Sequence, residues 1–122
     1  MEFRDNEAIY LQIAGYVSEN IMLGKWAIGE KVPSVRELAV ELQVNPNTVV
    51  RAYEFLQQRN VIANKRGIGF FATNNSMENI ENYRKERFLK QELPEFFRNI
   101  YILNISLEEI GKRYQDFKSE NY

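Results

Sequence analysis

Asn45, Asn47, Thr48 and Arg51 bring two carboxamides, a hydroxyl and a guanidinium together in one short stretch. Such a set exchanges hydrogen bonds with flat polar edges and with oxyanions, because the guanidinium is a rigid fork of N–H donors and each amide both donates and accepts. It contains no group that titrates near neutral pH. The rest of the chain shares that lack, with no histidine and no cysteine among its 122 residues. Disulfides, thiolate or imidazole metal ligands, and Cys or Ser–His nucleophiles are thereby excluded. Carboxylates remain for acid–base work, yet none of the 17 Asp and Glu residues is set off from ordinary surface charge. The chemistry to expect is binding, with no catalytic residue, no cofactor and no metal.

The surrounding pattern says how these side chains are held. Asn45 is a good helix N-cap, and Pro46 fits the first helical position, where its missing N–H is not needed. Val49, Ala52, Tyr53 and Leu56 then fall at i, i+3, i+4 and i+7, an inward stripe that turns Thr48, Arg51 and Glu54 outward. A shorter helix precedes it. Ser34 and Glu37 have the spacing of a capping box, with Val35, Leu38, Ala39 and Leu42 as the buried face and Gln43-Val44 as the turn. After the longer helix, Val61 to Asn64 and Ile68 to Thr73 read as strands, joined by Lys65-Arg66-Gly67 with a glycine for a positive φ.

Helix, tight turn, helix, hairpin is a helix-turn-helix with a wing, which presents its second helix to the major groove of DNA. Asn47 and Thr48 would occupy the first turn, where a helix N-terminus approaches phosphates and base edges. Arg51, one turn on, can reach guanine O6 and N7 or a phosphate. Val50 offers a contact to a thymine methyl or plain packing. Arg36 reads either as a solvated arginine or as a contact from the helix that crosses the backbone. Arg66 and Gly67 form either a wing tip for the minor groove or an ordinary hairpin turn.

Net charge is −1, a poor omen for a nucleic-acid binder, but residues 34–73 carry five cations against three glutamates. That modest excess implies weak nonspecific affinity, since counterion release scales with the number of phosphates neutralised. With 44% hydrophobic and 13% aromatic residues, the chain can build a core. No apolar run approaches ~20 residues, and Met1-Glu2-Phe3-Arg4-Asp5 lacks the order of a signal peptide, so a cytoplasmic protein with no membrane partner is expected.

Before the motif, Asn6 to Leu23 reads as a helix with Ile9, Ile13, Val17 and Ile21 on one stripe, closed by Gly24, and Lys25 to Val32 reads as a linker. After it, Asn74-Asn75-Ser76 marks a boundary. Met77 to Leu93 looks helical, Pro94 starts a new helix, kinks the old one, or does both, and Ser106 opens a last helix with a second S-x-x-E box. A segment of this size cannot by itself bury Phe96, Phe97, Ile100, Tyr101, Leu103, Ile110, Tyr114 and Phe117. A second copy of the chain, or the first helix, must cover them.

Gly29-Glu30-Lys31-Val32-Pro33-Ser34-Val35-Arg36-Glu37-Leu38-Ala39, followed by Asn45-Pro46-Asn47-Thr48-Val49 and Ala52-Tyr53-x-x-Leu56, resembles the N-terminal domain of the GntR family of bacterial transcription regulators. Ile9-Tyr10-Leu11-Gln12-Ile13 and Arg66-Gly67-Ile68-Gly69-Phe70-Phe71 are similar too, so the likeness spans roughly residues 8–73. It implies DNA contacts from Ser34, Arg36, Asn45, Asn47, Thr48, Arg51 and Gly67. Many members carry arginine where this chain has Pro46 or Val50, which throws more of the recognition onto Asn47, Thr48 and Arg51. Ala8 stands where a proline often precedes Ile-Tyr and should affect only the start of the first helix. The short helical remainder resembles the YtrA-type branch, whose tail mediates dimerisation; Phe96, Phe97, Ile100, Tyr101, Tyr114 and Phe117 are the residues expected there.

The expected architecture is mainly α with a small β-hairpin: a winged helix-turn-helix over residues 1–73, then an all-helical dimerisation segment over 74–122. The expected function is a homodimeric, sequence-specific DNA-binding regulator acting on a pseudo-palindromic operator in double-stranded DNA, with repression favoured over activation. The alternative is a winged-helix module for protein–protein contact, which the near-neutral charge favours. An enzyme with a carboxylate site is a distant rival. A sensor holding an unidentified small-molecule effector between tail and winged helix is a further reading of the same aromatics.

Overall fold

Helix α1 (Ile9–Met22) begins at Ile9 rather than Asn6, and its N-cap, Ala8, makes no side-chain capping bond. A buried glutamine organises the start instead. Gln12 donates from Nε2 to the carbonyls of Arg4 and Glu7 at 2.7 and 2.8 Å, and its Oε1 accepts the Arg4 N–H at 2.7 Å. Residues 4–7 are thereby tied in a turn beside the helix rather than continuing it. At the other end Gly24, at φ +80°, donates to Ile21 O while Lys25 N–H reaches back to Asn20 O at 2.9 Å. That pair of bonds closes the helix as the glycine predicts.

Helix α2 (Val35–Leu42) carries the capping box in full: Ser34 Oγ accepts Glu37 N–H, and the Glu37 carboxylate accepts Ser34 N–H. Gln43, left-handed at φ 56°, turns the chain into α3 (Pro46–Gln58). Strands β1 (Ile62–Lys65) and β2 (Gly69–Ala72) pair antiparallel, with Ile62 opposite Ala72 and Lys65 opposite Gly69. The segment ahead of α2, read from sequence as linker, runs beside β2: Val32 N–H bonds to Phe70 O at 2.9 Å and Gly29 N–H to Ala72 O at 3.1 Å.

The structure, a computed structural model, describes all 122 residues and divides into two compact units, Met1–Tyr83 and Arg84–Tyr122. The core of the first unit draws on the periodic stripes: Ile13, Val17 and Ile21, Leu38 and Ala39, and Val49, Ala52, Tyr53 and Leu56, closed by Val61, Ile62 and Ala72, whereas Val35 and Leu42, expected on the buried face of α2, are only half-buried against it. Ile9, the first residue of the α1 stripe, stays exposed. This unit runs past Thr73, where the sequence suggests the division. The reason lies in α4 (Ser76–Arg87), whose Ile80 and Tyr83 enter that core. Tyr83 is fixed further by a buried 2.6 Å hydrogen bond between its hydroxyl and Ser18 Oγ.

In the second unit a single π-helical turn, Phe88–Glu92, joins α4 to α5 (Leu93–Ile102), with the Leu93 N–H bonded to Phe88 O. Pro94 explains that turn. It donates no hydrogen bond, and its ring would crowd a carbonyl one α-turn back, so a wider turn ahead of it relieves the clash. After Leu103, α6 (Leu107–Asn121) starts from Ser106, whose hydroxyl accepts Glu109 N–H at 3.1 Å. Neither α5 nor α6 contributes a buried residue. No helix is long and apolar enough to cross a membrane.

Candidate nucleic-acid interface

Four of the residues singled out from sequence converge. Asn45, Asn47, Thr48 and Arg51 line one open cleft of about 340 Å³ at the start of α3, with Ala8, Ile9 and Tyr10 at the start of α1 across from them. Each is placed by local chemistry. Asn45 Oδ1 accepts Asn47 N–H at 2.8 Å, so the side-chain oxygen is engaged in capping while the NH₂ group stays uncommitted. The inward pull of Val49, Ala52, Tyr53 and Leu56 leaves Arg51 exposed, while Thr48 is half-buried in the cleft wall. Val50 is exposed too, which removes core packing as its role and leaves an apolar contact surface.

Ser34, Arg36, Arg66 and Gly67 lie outside that cleft. Ser34 is half-buried at the N-cap of α2 with its oxygen engaged by Glu37, and Arg36 is exposed in the first turn of the same helix. The Ser34 backbone N–H, and then its hydroxyl, hold the Glu37 carboxyl below the usual carboxylate range. Arg66 and Gly67 stand exposed at the hairpin tip, where Ile68 N–H closes a turn onto Lys65 O at 2.9 Å. Gly67 sits at φ +79°, a conformation that a turn with a positive φ at its third residue assigns to glycine.

One buried side chain ties these parts together. Tyr53 of α3 donates its hydroxyl to Pro33 O at 2.6 Å, one residue before the α2 cap, and meets Phe70 of the wing edge-on with ring centroids 4.9 Å apart. Burial, reinforced by Glu37 and Glu41, pushes the Tyr53 hydroxyl above its ordinary value of 10.0, so it remains a donor. Helix α3 thus fixes both the start of α2 and the wing through a single residue.

By sequence, Tyr10 belongs only to the Ile9–Ile13 lead-in motif. The structure puts its ring against the Arg51 guanidinium, whose central carbon lies 4.0 Å from the ring centroid. An aromatic off the inward stripe in the first turn of α1 is the one signal that pointed to it.

A capped helix with outward amide, hydroxyl and guanidinium groups, a second capped helix ahead of it and a glycine-tipped hairpin behind it make a helix-turn-helix with a wing, and comparison with known proteins gives the same fold. Residues 9–72 match the model of the bacterial regulatory proteins of the gntR family. The chain belongs to the gntR family. It is therefore a DNA-binding transcriptional regulator and not an enzyme. It is similar to the HTH-type transcriptional regulator YhcF of Bacillus subtilis, 30% identical over 109 residues that cover 89% of this chain and 88% of that one. The HTH-type transcriptional repressor YtrA of the same organism is 29% identical over 117 residues, covering 96% and 89%. Among solved structures, a putative transcriptional regulator of the GntR family from Bacteroides thetaiotaomicron is 49% identical, covers 94% of this chain and all of its own, and superposes with a TM-score of 0.81. Coverage of this extent takes in the helical tail as well as the gntR reading head.

Proposed function

We propose that this gntR-family chain works as a homodimeric repressor, seating two α3 helices in successive major grooves of a pseudo-palindromic operator. The observation that carries the reading is the tail. Phe96, Phe97, Tyr101, Tyr114 and Phe117 stay exposed on α5 and α6, Tyr101 at 87%. Apolar surface on this scale marks a contact site rather than a solvated face. A second copy supplies a matching surface, since a twofold interface uses the same patch on both subunits.

Ile100, half-buried on α5, is assigned to the interface with them. Twofold symmetry then presents the heads to half-sites about one helical turn apart or a multiple of that. In each head Asn47, Thr48 and Arg51 face base edges and phosphates from α3, Asn45 offers its NH₂, Ser34 and Arg36 meet the backbone from α2, and Arg66 and Gly67 bring the wing to the minor groove. Repression by occluding a promoter accords with the similarity to YtrA, itself named a repressor. Selection of bound sequences from random duplex DNA, with light scattering on the same protein, tests the proposal. An inverted repeat and a dimer mass are expected; a single unsymmetric motif or a monomer mass would refute it.

A further inference from the structure

The cleft at the start of α3 contains a contact that a DNA-reading arginine does not need in order to fold. The Arg51 guanidinium lies over the face of Tyr10, 4.0 Å from its centroid, and makes no hydrogen bond or ion pair within the chain. Tyr10 is itself backed by Phe55, one turn beyond Arg51 on α3, in an edge-on contact with centroids 6.2 Å apart. Phe55 is wedged in turn against the buried Tyr83, 5.4 Å away and also edge-on, while the Arg59 guanidinium covers it at 3.7 Å. The ring under Arg51 is therefore the outer member of a stack anchored in the core. The Ser18–Tyr83 hydrogen bond fixes its inner end.

We infer that Tyr10 is a positioning residue for base discrimination: its ring holds the Arg51 guanidinium over the cleft so that the N–H fork meets the base pair already oriented. This rests on the proposed reading that Arg51 contacts DNA. A free arginine side chain samples many rotamers, and binding must freeze them. An aromatic face attracts a guanidinium electrostatically while leaving its in-plane N–H donors unspent, whereas a carboxylate partner would occupy them. No acidic residue lines this cleft. Preorganisation of this kind strengthens discrimination at one base pair and has little effect on nonspecific phosphate attraction.

The test compares Tyr10→Phe, Tyr10→Leu, Arg51→Ala and the Tyr10→Leu/Arg51→Ala pair in the full chain. Binding is measured to the selected operator and to operators altered one base pair at a time. Loss of an exposed to partly desolvated cation–π contact predicts roughly three- to tenfold weaker operator binding for Tyr10→Leu. Tyr10→Phe should stay within about twofold, since the ring face is kept. In the Arg51→Ala background Tyr10→Leu should add nothing, and both single variants should lose preference at the same base pair. Wild-type discrimination in Tyr10→Leu, or losses that simply add, would overturn the proposal while Arg51 kept its role. Wild-type binding by Arg51→Ala would instead overturn the interface reading on which it rests. A spectroscopic arm does not depend on the fold of the leucine variant. In the wild type and in Tyr10→Phe the Arg51 Nε–Hε resonance should carry an upfield ring-current shift, and a random-coil position would refute the stack.

Discussion

Tyr53→Phe removes one oxygen and leaves the ring in place against Phe70. The hydroxyl lost is the donor that holds Pro33 O at 2.6 Å. Pro33 is half-buried, so water can reach the released carbonyl, and the cost falls near that of an ordinary hydrogen bond, about 1 kcal/mol, rather than the ~3 kcal/mol of an acceptor orphaned in a dry core. For a cooperative unit of this size, 1 kcal/mol corresponds to a fall in Tm of roughly 4–8 °C. Circular dichroism melts of both proteins at neutral pH read it directly. A second arm uses pH. The folded-state hydroxyl is raised above the ordinary value of 10.0, so its contribution is fully present below pH 10 and is lost as pH rises beyond it. The stability difference between wild type and Tyr53→Phe should therefore shrink above pH 10. Because Pro33 precedes the Ser34 cap, the variant should also bind operator more weakly. A Tm within about 1 °C of wild type, with parallel alkaline profiles, would refute the claim that this bond fixes α2 against α3.

Arg36→Ala should fold normally and weaken operator binding. If Arg36 meets a phosphate, the slope of log K against log salt, measured by fluorescence anisotropy, should fall by about 0.9 per head. Gly69→Ala forces a φ of +128° on an L-residue and sets its Cβ 2.8 Å from Lys31 Cε. The lysine end can swing away, so the cost is mainly backbone strain of about 1–3 kcal/mol, read as a lower urea midpoint. Phe97→Glu places a charge on the exposed α5 face, 48% accessible in one chain. It should shift the light-scattering mass toward monomer and weaken operator binding with it, while a monomeric wild type would remove the premise.

The winged helix was legible because local rules and packing agree there. The Ser34–Glu37 box, the Asn45-Pro46 start and the 3.6-residue stripe of α3 each specify the same element, and no tertiary contact overrides them. The misses fall where a distant partner decides. Gln12 shortens α1 by binding the carbonyls of residues 4 and 7, which no periodicity registers. Tyr83 carries the first unit beyond Thr73 because its hydroxyl finds Ser18, 65 residues earlier. Pairing between the pre-α2 segment and β2 was hidden for the same reason. At the site, residue types exposed the donors on α3, but the Tyr10–Arg51 contact joins two helices whose spacing in space the sequence does not state.

The weakness of the cationic patch and the exposure of the tail then bear on each other. Five cations against three glutamates in residues 34–73 allow each head only a few phosphate contacts, so one head alone gains little from counterion release. Joining two heads makes the second binding event intramolecular, and local concentrations in the millimolar range can raise overall affinity by 10² or more without any new contact. On the proposed reading, α5 and α6 thus supply by dimerisation what the sparse charge withholds, and base contacts around Arg51 supply the selectivity. The two parts predict one behaviour together: operator affinity that depends steeply on protein concentration and shallowly on salt. A basic, monomeric winged helix would show the reverse, so a titration over both variables separates the two designs.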